Sequence, residues 1–126
     1  MGVYGFLAVG LGAALGAWLR WGLGQALNHV SPTLPLGTLT ANLLGGYGAG
    51  VAIAVFTQNS SLPPEAGLFI ITGFLGGLTT YSTFSAEVVA AFCREEYFWS
   101  GITVITHLGG SLLMTVFGIL TVGLFG

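Results

Sequence analysis

Charge is what this sequence most lacks. Its 126 residues carry two Lys+Arg and four Asp+Glu, 5% charged in all, where an ordinary soluble domain has about 25%. So few charges cannot coat a water-exposed surface, and the soluble globular class is excluded. A basic footprint is missing as well. Arg20 and Arg94 are the only basic side chains besides histidine, so a nucleic-acid partner is not expected. The single cysteine, Cys93, rules out an internal disulfide framework. It reads as a small apolar residue near a helix end. Intramembrane acid is scarce too. A proton-coupled pump or rotor subunit needs a carboxylate deep in a span, and Glu87 is the only acid within an apolar segment. There is no HExxH, P-loop, Cys/His cluster or serine triad, and His29 and His107 do not make a zinc set. No enzymatic activity is expected.

What the chain does have is apolar length and glycine. It is 54% hydrophobic with 22 glycines, and its mean hydropathy is +0.92. That composition excludes disorder. Four apolar segments run over about residues 3–27, 36–56, 66–92 and 97–125. Each exceeds the ~20 residues that cross a bilayer. The connectors are short and marked by Pro32 and Pro35, by Pro63 and Pro64, and by Arg94-Glu95-Glu96. Short connectors make consecutive helices antiparallel neighbours. The expectation is an all-α membrane protein of one domain, with both termini on the same side. The first segment lacks a basic start and is too long for a signal peptide.

Orientation has little to set it. Arg94 lies in the third connector and Arg20 lies in the first span toward the same side. Basic residues in loops decide which way a membrane protein inserts, and one loop arginine is a weak excess. Two readings stand. Arg94 sets one topology, or the chain inserts both ways and forms an antiparallel homodimer, reaching with two copies the symmetry that inverted repeats give longer transporters.

Small residues recur four apart at Gly12 and Gly16, Gly46 and Gly50, and Gly73 and Gly77. This spacing lets helices approach closely, and packing alone accounts for it. The polar residues inside the spans say more, because lipid-facing polar groups are costly. In the fourth span Thr103, His107, Ser111 and Thr115 recur every four residues, a one-sided stripe roughly 18 Å long. Such hydroxyls either line a path or bond back to their own helix. Thr38, Asn42 and Gly46 repeat the step in the second span. The Asn42 amide suits a neighbouring helix and a permeant species equally. In the third span, residues 73–85 pair adjacent glycines with a run of hydroxyl side chains, a poor uninterrupted helix. A break there frees backbone carbonyls, which can hold a small cation. A plain kinked helix is the other reading. Tyr81 and Phe84 share a face. Their ring edges are weakly positive and suit an anion, although core packing explains the spacing as well.

These residues resemble the CrcB/Fluc family of fluoride channels. The likeness lies in Gly12–Trp21 of the first span, Gly37–Leu43 of the second, Thr72–Glu87 of the third and the His107–Thr115 stretch of the fourth. The resemblance implies passive, selective fluoride efflux through a multi-pass protein of the inner (plasma) membrane. It implies a dual-topology antiparallel homodimer with two pores, and a third helix broken mid-membrane. It further implies a central Na+ that is structural and not transported, held by the backbone carbonyls of Gly76 and Thr79. By motif position it places Asn42, Tyr81, Phe84, Ser111 and Thr115 along the fluoride path. Thr38, Arg20, Glu87, Thr103 and His107 fall beside the path or at its vestibule. No protein partner other than a second copy is implied. Tyr81 departs from the phenylalanine usual in the family and adds a donor and an acceptor. The competing class is the small dual-topology multidrug transporter, which needs an acid in its first span, where this chain has Arg20 and no acid. A non-conducting scaffold subunit is a third reading, and the aligned polar stripes argue against it.

Overall fold

A computed structural model describes residues 2–126. Helix α1 (Gly2–Leu27) runs into a short tight turn at Asn28–Val30. Helix α2 (Leu36–Gln58) follows. The third span is composite. It opens with α3 (Pro64–Gly67), widens into a π-helical run (Leu68–Leu75), tightens again in α4 (Gly76–Leu78), and ends in α5 (Tyr81–Cys93). Helix α6 (Tyr97–Phe125) closes the chain. Among the described residues all regular structure is helical, and four helical stretches are long and apolar enough to cross a membrane: Gly2–Val30, Leu36–Gln58, Pro64–Cys93 and Tyr97–Phe125.

The connectors terminate these helices by local chemistry. Pro35 precedes α2 and has no side-chain cap of its own. Asn28, back in the preceding turn, supplies it. Its Oδ1 accepts the N–H of Gly37 at 2.8 Å and that of Thr38 at 3.1 Å, satisfying two of the amides a helix start leaves over. Pro64 opens α3, where its missing N–H is no loss. Helix α5 ends in a Schellman turn. Glu95 adopts a left-handed φ of 64°, and the N–H groups of Glu96 and Glu95 return to the carbonyls of Ala91 and Phe92 at 2.9 and 3.0 Å. Arg94 Nε meets Glu96 Oε1 at 2.7 Å across that turn, the one ion pair among the described residues.

Two glycine seams hold the helices together. Helix α1 lies on residues 69–78 of the third span. There a Cβ at Gly12 would strike the Phe69 carbonyl, one at Gly16 the Phe74 carbonyl, and one at Gly77 the Ala13 carbonyl. Helix α2 lies on α6, where Gly50 abuts the Thr115 carbonyl and Gly118 the Tyr47 carbonyl. Backbones this close gain dispersion and weak Cα–H contacts that side chains would forbid. A small apolar centre of Ala41, Ala52, Leu75 and Leu78 is closed by Phe74 and Leu23. Most large apolar side chains point outward, Phe6, Trp18, Leu112 and Leu124 among them. In water that would be an aggregating surface, and in a bilayer it is the lipid face.

Candidate functional site

The third span leaves helical geometry at two residues. Thr79 has ψ 154° and Thr80 has φ −145° and ψ 118°, both extended. The Thr79 N–H keeps its helical bond to the Leu75 carbonyl at 3.0 Å, and the bonds beyond it are re-routed. The Thr80 N–H donates to Asn42 Oδ1 at 2.7 Å instead of to the carbonyl of Gly76. The Thr83 N–H donates to Thr80 Oγ1 at 3.1 Å instead of to the carbonyl of Thr79, so Thr80 is the N-cap of α5. The Gly77 carbonyl accepts from Arg20 Nε at 3.0 Å. The Thr80 carbonyl accepts from Asn42 Nδ2 at 3.1 Å. One asparagine of α2 thus grips both sides of the Thr80 residue, and the carbonyls of Gly76 and Thr79 are left without an intrahelical donor.

Beside this interruption lies an open groove of about 500 Å³ between α2, the third span and α6. Of the residues singled out from the sequence, Asn42, Gly76, Thr79, Tyr81, Phe84, His107 and Ser111 line it. Its wall holds no Lys, Arg, Asp or Glu. Tyr81 is 76% exposed while Phe84 is 7% exposed. Their rings meet edge to face, with centroids 5.7 Å apart and planes at 70°. The other face of this aromatic pair is a histidine. Phe84 and His107 have ring centroids 4.8 Å apart with a 31° tilt, and Asn42 Nδ2 lies 2.9 Å from His107 Nδ1.

Arg20 and Thr38 line a second groove, of about 530 Å³, together with Asn28, His29, Thr80 and Thr83. Thr80 lines both grooves. Thr115, Thr103 and Glu87 line neither. Thr115 Oγ1 donates to the carbonyls of Gly46 and Ser111, at 2.9 and 3.0 Å. Thr103 is buried, and its hydroxyl returns to the Trp99 carbonyl at 2.8 Å. Two members of the α6 stripe therefore bond back to their own helix, one of the two roles their spacing allowed. Glu87 Oε2 accepts from Thr38 Oγ1 at 2.8 Å, while its Oε1 is buried without a partner.

Sequence reasoning missed Thr80. Its signal was Thr80 standing three residues before Thr83, the spacing of an N-cap and the N–H it accepts, hidden in a run of hydroxyls. It also missed the Arg20 bond to a backbone carbonyl and the π-helical run, and no local pattern announces either. Taken together the site offers neutral donors, freed carbonyls and aromatic edges in a wall without fixed charge. Such chemistry suits a small ion.

The comparisons with known proteins agree with this setting. The model of the family described as "CrcB-like protein, Camphor Resistance (CrcB)" matches residues 7–119. A protein of Nitrosospira multiformis named "Fluoride-specific ion channel FluC" is 62% identical over 122 residues, covering 97% of this chain and 95% of its own. One of the same name from Cupriavidus necator is 59% identical over 121 residues, covering 96% of each chain. A third, from Thiobacillus denitrificans, is 57% identical over 113 residues and covers 90% and 91%. A family match over nearly the full length, together with identities this high, means that the chain belongs to the CrcB family.

Proposed function

We propose that this protein is a fluoride-specific channel that lets fluoride leave the cell passively, down its electrochemical gradient. The observation that carries the reading is the groove itself. Asn42, Tyr81, Phe84, His107 and Ser111, drawn from three helices, converge on one wall without a fixed charge, in a chain whose relatives are named fluoride channels. Fluoride is small and strongly hydrated, so a path must replace its water with donors. Several weak neutral sites do this and still release the ion, where a fixed cation would trap it.

The functional unit is an antiparallel pair of copies in the inner membrane, one domain per chain, with two paths. The open flank of the groove supports this. Ser111 and the exposed Tyr81 ring would otherwise present a polar strip to lipid, and a second copy covers it. The path runs past Asn42, Phe84 and Tyr81, and along Ser111 toward Thr115. Arg20, Thr38 and Glu87 lie at its vestibule, with Thr103 alongside. The carbonyls of Gly76 and Thr79 are fitted to hold a structural Na+ at the centre of the pair. Both lack a helical donor, as the bonds of Thr80 and Thr83 require. Both residues line the groove, and neutral carbonyl oxygens suit a hard monovalent cation. Such an ion supplies a fixed positive charge that favours anions nearby. Arg20, by engaging the next carbonyl at Gly77, keeps the interrupted backbone in place.

Purified protein in liposomes loaded with fluoride and chloride tests the function. Rapid fluoride release with chloride retained is the expected result, and comparable chloride release overturns it.

A further inference from the structure

We propose that His29 is a proton-operated charge at the mouth of the groove that Arg20 lines, and that it speeds fluoride entry as the medium turns acid; this regulation rests on the fluoride-channel reading. The groove, of about 530 Å³, takes its wall from α1, the Asn28–Val30 turn, α2 and the third span. Two residues of that wall can carry charge, Arg20 and His29, and none is an acid. Arg20 Nε is anchored on the Gly77 carbonyl at 3.0 Å, which fixes its positive charge beside the helix interruption. His29 is exposed. Thr80 stands both in this wall and in that of the groove proposed as the path, so an anion gathered here is one residue away from it.

The backbone that carries His29 is tied down on both sides. One residue earlier, Asn28 Oδ1 accepts the N–H groups of Gly37 and Thr38 at 2.8 and 3.1 Å, which fastens the turn to the start of α2. Two residues later, Ser31 Oγ accepts the Leu34 N–H at 3.3 Å. Imidazole is the side chain whose ordinary titration falls between about pH 5 and 8. Few other charges face it. Helix α1 offers Arg20, α2 offers the neutral Thr38, and the third span offers the neutral Thr80 and Thr83. Glu87 of α5 accepts from Thr38 Oγ1 at 2.8 Å without lining the groove. On the turn between α5 and α6, Arg94 and Glu96 pair with each other at 2.7 Å, and neither they nor Glu95 line it. With His29 neutral the wall therefore holds one positive charge, and with His29 protonated it holds two. Falling pH adds the second charge, and rising pH removes it. At a water-filled mouth one added unit charge raises the local anion concentration about twofold. An exposed imidazolium draws the ion weakly enough to release it onward, and salt screens the gain.

The test is the single-channel fluoride current of the full-length protein in planar bilayers, to which neutral hydrogen fluoride contributes nothing. Both solutions share one pH, so the orientation of the copies does not matter. In dilute sodium fluoride, wild-type protein should pass about twofold more current at about pH 5.5 than at about pH 7.5. Raising the ionic strength with sodium gluconate should bring that ratio toward one. His29→Gln, which cannot take the proton, should pass the same current at both pH values. His29→Arg, which is always charged, should pass at about pH 7.5 the larger current that wild type reaches only in acid. A wild-type current indifferent to pH overturns the proposal, and so does a pH response that survives in His29→Gln. A wild type that carries no fluoride current at either pH overturns the channel reading instead.

Discussion

Helices α2 and α6 meet twice, in two different chemistries. Toward their C-terminal ends they meet glycine on backbone, with Gly50 against Thr115 and Gly118 against Tyr47. About two turns earlier they meet through side chains, with Asn42 against His107 and the Thr80 backbone between. The glycine seam is set mainly by backbone approach, with the Thr115 hydroxyl bonded to the Gly46 carbonyl and the Tyr47 hydroxyl to Thr121 across it. The polar junction is the reverse: the Asn42 amide meets the Thr80 N–H, the Thr80 carbonyl and His107 Nδ1, each at a fixed distance. The same pair of helices is thus glued at one level and tuned at the other. A substitution should reveal which level it touches by whether folding or conduction fails first.

Three substitutions can break that contrast. The largest effect belongs to Gly50→Leu. Its side chain would overlap the Thr115 carbonyl and the Ile119 amide, neither of which can rotate away. Overpacking costs about 1–3 kcal/mol even where side chains can yield, so no monodisperse peak is expected on size exclusion. A well-folded, conducting Gly50→Leu would mean that the seam is not a structural element. Next is Asn42→Asp. It keeps the acceptor for the Thr80 N–H, removes both donors, and adds a negative charge beside the path. Fluoride release should fall about 100-fold while the elution profile is retained, and unchanged release would take Asn42 out of the path wall. The smallest is Thr80→Ala. The backbone bonds to Asn42 survive and only the cap on Thr83 is lost, so stability should drop by about 1 kcal/mol with release within about threefold of wild type. A loss of conduction with stability intact would move Thr80 from the scaffold to the path.

How much of this was legible in the sequence depends on distance along the chain. The four helices announce themselves through local composition, because ~20 consecutive apolar residues admit no other economical reading. The glycine seams were legible as spacing, since Gly12 and Gly16 share a helix face whatever the partner. The polar junction was legible only as a list of members. Asn42 and Thr80 are 38 residues apart, and Asn42 and His107 are 65 apart. A step of four says which residues share a face, not which atom of a neighbouring helix each one meets. The amide of Asn42 suited a neighbouring helix and a permeant species equally; only its bonds to Thr80 and His107 show where it is engaged. Residues 73–85 read as weakly helical from their glycines and hydroxyls, yet the cap spacing of Thr80 and Thr83 recurs at Thr79 and Ser82 and at Ser82 and Ser85, so it did not say where the helix restarts.

The position of Thr80 as a wall of both grooves has an electrical consequence. Were the two grooves to open to opposite faces of the membrane and fill with water, a voltage across the protein would fall largely over the residue they share. Moving one elementary charge through 100 mV is worth about 2.3 kcal/mol. Most of that work would then be done within a few ångströms of Thr80, on the peptide groups that Asn42 holds still.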